Sequence, residues 1–222
     1  MIEAKAPTQR IRRAYDLFSL FYGGLVAPLE RKPRLLGLEK AGIQPQDKVL
    51  DVAVGPGVTL TEILKRVDRT TTVYGVDLSP KMLDKARRRA SAAGYANLDL
   101  QEADARQLPF PDGTFDVLYN SYMLDLIPLA DLSVVLGEFR RVLKAGGRLV
   151  LVNMSKENEG ALTWWERVYQ RLPAFLVPYL FGGCRPALAE NFVKQAGFAE
   201  VARDYVRHIL PSEIVTARKP AV

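Results

Sequence analysis

Gly55, Gly57, Asp77 and Asp104 are the residues whose types and spacing could build a binding site. The two glycines stand in Asp51-Val-Ala-Val-Gly55-Pro-Gly57, directly after the apolar run Val49, Leu50 and Val52. Glycine has no Cβ, so a turn made of such residues lets the backbone approach a ligand closely. Further on, Asp77 closes the apolar stretch Thr72-Val-Tyr-Gly-Val-Asp77. A carboxylate in that position can hold the two hydroxyls of a ribose through charge-assisted hydrogen bonds. Asp104 follows a third such stretch, Leu98 to Glu102. Among groups able to move a proton, Asp125 lies just past a fourth apolar run and near a helix start, where a capping role competes with a catalytic one. His208 is the one histidine, and its side chain titrates near neutrality, although a structural role on a late strand competes with catalysis. Cys184 sits in Gly-Gly-Cys-Arg-Pro, without a motif that marks a nucleophile.

Strands and helices in alternation must carry these residues. Val49–Val52, Thr72–Asp77, Leu98–Glu102 and Phe115–Tyr119 read as buried strands, and Arg148–Met154 as a fifth. Between them, Thr59–Val67 places Leu60, Ile63, Leu64 and Val67 at helical spacing, so the glycines fall between a strand end and a helix start. Ser79 and Pro80 open a second helix, as cap and first-turn proline, that runs to about Gly94. Asp131–Leu143 is amphipathic, with Leu132, Val135, Leu136, Phe139 and Leu143 on one face, and Ala145-Gly146-Gly147 ends it. A last helix over Ala187–Ala196 precedes two closing strands, Phe198–Leu210 and Glu213–Arg218. Strand, helix and strand in this order predict an α/β fold with a parallel sheet, which binds ligands outside the carboxyl ends of its strands.

Composition narrows the function class. At 222 residues the chain supports one good core, so one domain is expected. Its 25% charged and 48% apolar residues are those of an ordinary globular protein. A net charge of +6 suits an anionic partner, or simply basic solvated faces. One cysteine and one histidine exclude an intramolecular disulfide and argue against a transition-metal site. The opening Met-Ile-Glu-Ala-Lys-Ala-Pro lacks the apolar core of a signal peptide, so the expected compartment is the cytoplasm. A dinucleotide oxidoreductase is disfavoured, because Leu60 stands where a third glycine would be wanted.

Taken together, Asp51-Val-Ala-Val-Gly55-Pro-Gly57, Val76-Asp77-Leu78-Ser79-Pro80-Lys81-Met82, Ala103-Asp104-Ala105 with Leu108-Pro109-Phe110, Phe115-Asp116 and Phe139 to Leu149 resemble the class I methyltransferases that use S-adenosylmethionine. Within that class Tyr15-Asp16, Ala103 to Phe110 and Met154-Ser155-Lys156 are similar to the ubiquinone/menaquinone-biosynthesis C-methyltransferases. The resemblance implies a Rossmann-like, seven-stranded, mostly parallel sheet with helices on both faces, an antiparallel last strand and an N-terminal helical lid. It implies a lid over residues 1–40, a cofactor core over 45–154, a substrate-side insertion over 155–186, and a final helix and hairpin over 187–222. For the cofactor it implies contacts from Asp51, Ala53, Gly55, Gly57, Asp77, Leu78, Met82, Asp104, Ala105 and Asn120. Asp77 would take the ribose, and Asp104 with Ala105 the adenine edge. Met82 would touch the adenine or serve as core, and Asp51 would orient loop amides or the ammonium group. Ala53 is a departure, since the family often has glycine there. From the lid, Tyr15 and Tyr22 would reach the active centre or pack as core.

The acceptor is less defined. Trp164, Trp165, Tyr169, Phe175, Tyr179 and Phe181 are interleaved with Arg167, Arg171 and prolines, which suits a pocket for a lipophilic molecule or a peripheral membrane contact through residues 161–181. Ser121-Tyr-Met-Leu-Asp-Leu-Ile-Pro departs from the Phe-Gly-Leu-Arg-Asn pattern of the quinone enzymes, so another lipid stays open as acceptor. RNA methylation and a non-catalytic cofactor-binding role are the alternatives. For RNA the charge fits, but Asn120-Ser-Tyr-Met lacks the paired prolines of amino-directed base methylases. The oligomeric state has no signature in the sequence.

Overall fold

A computed structural model describes residues 3, 27–157, 164–173, 184–207 and 209–221. Among the described elements, helix α1 (Ala27–Ala41) comes first. Strand β1 (Val49–Val52), helix α2 (Val58–Leu64), strand β2 (Val73–Asp77), helix α3 (Pro80–Ala92) and strand β3 (Leu98–Glu102) follow. Then come strand β4 (Phe115–Ser121), a 3₁₀ turn (Leu124–Leu126), helix α4 (Leu129–Val142), strand β5 (Leu143–Met154) and helix α5 (Trp164–Arg171). Helix α6 (Glu190–Gln195), strand β6 (Ala199–Val206) and strand β7 (Ser212–Arg218) are the last of the described elements.

The strands form one sheet in the order β3-β2-β1-β4-β5-β7-β6. All are parallel except β7, which pairs antiparallel with β5 on one side and β6 on the other. The predicted seven-stranded, mostly parallel α/β sheet with an antiparallel last strand is therefore present. Chain order reverses between β1 and β4, which opens a crevice at the carboxyl ends of those strands.

Alternation along the strands splits the core in two. On one face Leu50, Leu118, Leu149, Leu151 and Val215 pack against Leu132, Val135, Leu136 and Phe139 of α4 and Val193 of α6. On the other, Val49, Val117, Val150, Val152 and Ile214 pack against Leu38 of α1, Leu60, Ile63 and Leu64 of α2, and Leu83 and Ala86 of α3. Each fully buried aliphatic or aromatic side chain contributes about 1.5–3 kcal/mol, so the stripes of α1–α4 hold both layers on the sheet.

Several element ends differ from the sequence expectation. Helix α2 stops at Leu64 rather than Val67, and α6 begins at Glu190 because Ala187 is bridged to Ser155 instead. Residues Ala145–Gly147 do not merely end α4. They lie inside β5, where the ladder to β4 jumps from Phe115–Leu143 to Val117–Arg148 as an irregularity in the register. Of the helical lid expected over residues 1–40, the described helical part is α1, which packs on β5, β7 and β4. Tyr15, Tyr22, His208 and all of residues 174–183 lie outside the described residues.

Candidate active site

Strand β1 ends in a turn that holds the crevice open. Ala53 adopts a left-handed backbone (φ 59°), as do Gly55 (φ 52°) and Gly57 (φ 79°). Asp77, at the end of β2, fixes this turn: Oδ2 accepts from the Gly55 amide at 2.9 Å, and Oδ1 accepts from the Ser79 amide at 2.9 Å. Ser79 caps α3 by accepting from the Met82 amide, and Pro80 occupies the first turn as expected. Arg89 on α3 donates to the Pro56 carbonyl at 3.0 Å and ties the turn to the helix behind it.

The resulting cleft measures about 1060 Å³, open mouth included. Along the strand ends it runs from Asp104, Ala105 and Arg106 after β3, past Asp77, Leu78 and Met82 beside β2, to Ala53 and Gly55 after β1. It ends at Ser121 and Tyr122 of the β4 side with Arg34 of α1. Met123, Leu126 and Ile127 give that last part an apolar wall.

Seven of the ten sequence-derived cofactor residues line this one cleft: Ala53, Gly55, Asp77, Leu78, Met82, Asp104 and Ala105. The other three stand behind it. A Cβ on Gly57 would lie 2.7 Å from the Ala86 Cα, so that glycine permits close packing of α2 on α3 rather than approach of a ligand. Gly55 is the contrary case: a Cβ there meets no protein atom within 4 Å. Asn120 is fully buried and donates to the Val52 carbonyl at 2.8 Å, which braces β1 against β4. Asp51 is 1% exposed, and its Oδ2 has no hydrogen-bond partner. Burial drives its pKa up to about 8, against the opposing charge of Arg34 and with the help of Asp77.

Asp125 is placed differently from its expected position at the ligand edge. It is fully buried in the 3₁₀ turn, behind Leu126 and Ile127, and its Oδ2 accepts from the Met154 amide at 3.3 Å. Burial raises its pKa to about 7. The Met154 amide, the Arg185 charge and Cys184 pull it down, and Glu30 pushes it up. Arg185 itself is buried and donates to the carbonyls of Ile127 (2.5 Å) and Asp125, so these groups fix the 122–127 segment from beneath. Asp104 is also more engaged than a free recognition carboxylate. Burial alone would raise it, yet hydrogen bonds from Arg106 and that residue's charge hold it below the usual carboxylate range. Arg106 also reaches Asp131 at 2.9 Å.

Arg34 and Tyr122 were not singled out for the cofactor by the sequence. Tyr122 has a left-handed backbone (φ 54°), and its hydroxyl shares a hydrogen bond with Ser212 Oγ at 2.9 Å. The Arg34 guanidinium stands 5.3 Å from the centre of its ring and bonds Glu30 at 2.5 Å. Only the i, i+4 spacing of Glu30 and Arg34 could have flagged this pair.

Residues 49–147 match the family described as a methyltransferase domain. Demethylmenaquinone methyltransferase of Thermus thermophilus is 40% identical over 164 residues, covering 73% of this chain and 71% of that protein. The ubiquinone/menaquinone biosynthesis C-methyltransferase of Paraburkholderia xenovorans is 31% identical over 194 residues, covering 87% and 72%. The chain belongs to the class I S-adenosylmethionine-dependent methyltransferases, close to the ubiquinone/menaquinone C-methyltransferase group. It is an S-adenosylmethionine-dependent enzyme of that family.

Among solved structures, the 4+2 cyclase SpnF superposes with a TM-score of 0.79 at 19% identity, covering 98% of both chains. Phosphoethanolamine N-methyltransferase 2 of Haemonchus contortus, with S-adenosylmethionine, gives 0.66 at 16% identity, covering 85% of this chain and 52% of that one. Both similarities show the shared fold. The methyltransferase's own residues fit the cofactor: the open side of Gly55 lets a ligand lie against the turn, and Asp77 presents a carboxylate beside it. Among the described residues no cluster of His, Cys, Asp and Glu is placed to hold a metal ion, and no helix is long and apolar enough to cross a membrane.

Proposed function

We propose that this methyltransferase acts on a small lipophilic acceptor of the quinone or lipid class. One observation carries the reading: a single cleft joins a polar limb, built from the Gly55 turn, Asp77 and Asp104, to an apolar wall of Tyr122, Met123, Leu126 and Ile127. The two quinone-biosynthesis relatives support an acceptor of that kind.

S-adenosylmethionine supplies a methyl group on a positively charged sulfur, open to displacement by a nucleophile. The protein's part is to bind, orient and exclude water. Asp77 takes the ribose hydroxyls with oxygens already fixed by the Gly55 and Ser79 amides. Ala105 and Met82 border the adenine, while Arg106 keeps Asp104 in place. On the acceptor side, Tyr122 is held by Ser212 and by Arg34, so its ring is a rigid surface against which an apolar molecule can be aligned. Asp125 acts through position rather than by touching the acceptor, because it sets the 122–127 segment from within. Tyr15 and Tyr22 would close the cleft from the chain preceding α1, and residues 161–181 would bring the enzyme to a membrane that holds a lipid acceptor.

The test is methyl transfer from isotopically labelled cofactor to a panel of a demethylated naphthoquinol, a phosphatidylethanolamine vesicle and bulk transfer RNA, with product identified by mass. Label in the quinol or the lipid is expected. Label confined to RNA, or cofactor binding without transfer to any of a broad set of lipophilic acceptors, would replace this reading.

A further inference from the structure

We infer that the groove between α1 and α2 takes the phosphate and proximal hydrocarbon of an anionic phospholipid, at a site apart from the cofactor cleft and from residues 161–181. The groove measures about 650 Å³, open mouth included, within the range of about 300–1,000 Å³ that ligand pockets span. Arg31, Leu35 and Leu38 line it from α1, Val58 and Glu62 from α2, and Arg89 from α3. Arg34 and Thr59 line both this groove and the cofactor cleft, so they form the partition between the two.

The α1 residues recur at i, i+4 and i+7, which makes them one stripe along the helix. Exposure falls along that stripe: Arg31 is exposed, Leu35 is half-buried and Leu38 is buried. Charge therefore stands at the mouth and hydrocarbon lies in the depth. That is the polarity of a site for an amphiphile with an anionic head. Val58 adds apolar surface from α2.

The charge at the mouth is not neutralised from within. Among the described residues no ion pair or side-chain hydrogen bond engages Arg31. Arg89 is exposed and donates Nε to the Pro56 carbonyl, which leaves the donors on its two terminal nitrogens. The acidic lining residue, Glu62, is already held by Lys65 at 2.7 Å and Arg66 at 3.5 Å. Two guanidinium groups above an apolar floor suit a phosphate that carries a hydrocarbon chain. A nucleic-acid strand or a free phosphate would use the cations and leave the apolar depth without a partner.

Vesicle co-sedimentation tests this on the full chain as wild type, Arg31→Gln, Val58→Asp and Lys194→Gln, with phosphatidylcholine alone and with phosphatidylcholine mixed with phosphatidylglycerol. Wild type is expected on the mixed vesicles and not on phosphatidylcholine alone. Arg31→Gln should weaken that binding about fivefold, the contribution of one arginine near an anionic surface. Val58→Asp places a carboxylate in the groove at the first turn of α2, where the helix dipole favours it, so the fold is retained while binding falls by at least as much. Lys194 is exposed on α6, across the sheet, and Lys194→Gln removes the same charge while leaving binding within about twofold. Equal weakening by Arg31→Gln and Lys194→Gln, or no effect of Val58→Asp, overturns the proposal, because net charge alone would then hold the protein to the surface. Equal binding to both vesicles, or to neither, overturns it as well. Displacement by glycerophosphate at the concentration of accessible lipid would make the ligand a soluble phosphate instead. Retention of bulk transfer RNA without vesicle binding, lost in the same two variants, would give the surface to nucleic acid.

Discussion

The Gly55 amide donates to Asp77 Oδ2 at 2.9 Å, so the carboxylate at the end of β2 shapes the turn at the end of β1. The carboxylate proposed for the ribose is thus the same one that sets the loop geometry. Asp77→Ala should reduce affinity for S-adenosylhomocysteine by about a hundredfold or more, roughly 3 kcal/mol, with Asp77→Asn intermediate because it retains an acceptor. Calorimetric titration measures both, and wild-type affinity in Asp77→Ala would remove the carboxylate from the site.

Gly55 and Gly57 should respond in opposite ways to alanine. Both have left-handed backbones, which cost a residue with a Cβ about 1–2 kcal/mol. At Gly57 the new methyl also collides with Ala86, so Gly57→Ala should lose about 2–4 kcal/mol of stability in urea unfolding. Gly55→Ala should lose only the backbone part, yet weaken cofactor binding, because the methyl enters the cleft. Equal loss of stability in the two variants would contradict this division.

The pH dependence of stability should carry a mark of Asp125. Its pKa is about 7 when folded and near the ordinary 3.8 when unfolded, so between these values the native state holds the extra proton. Stability therefore falls as pH rises through that window. Asp125→Asn cannot titrate, and whatever constant offset follows from its effect on Arg185, the variant should gain on wild type by a few kcal/mol, roughly, between pH 4 and pH 8. Unfolding midpoints at those two pH values test it, and parallel curves would show that the carboxyl is not held neutral.

Lys156 and Glu166 form a buried ion pair at 3.0 Å that fastens α5 to the end of β5. Removing one partner leaves the other charge without its counterion. Lys156→Met should cost about 3–5 kcal/mol, and adding Glu166→Leu should restore much of it. A double variant no more stable than the single one would show that Glu166 contributes chiefly through its other contacts.

The sheet was legible because its strands are apolar runs cut off by turn residues, and Gly55 with Asp77 follow from that pattern. What escaped depends on contacts distant in sequence. Gly57 looks like a ligand-facing glycine until Ala86 is seen against it. Asp125 seems to face the ligand edge, but Met154 and Arg185, well along the chain, draw the turn inward. Arg34 reaches the cleft only because α1 folds back over β4 and β5. Ala53 was visible as a departure from glycine. Its left-handed backbone became evident only in three dimensions.

The position of β7 governs the order in which the chain can fold. Strand β6 is made before β7, yet it pairs with no other strand, since β7 lies between it and β5. A chain emerging from the ribosome therefore carries β6 without a docking edge until the segment around Ser212–Arg218 is available. Strand β7 acts as a keystone, and the sheet closes on this side only once that strand has followed β6 out of the ribosome.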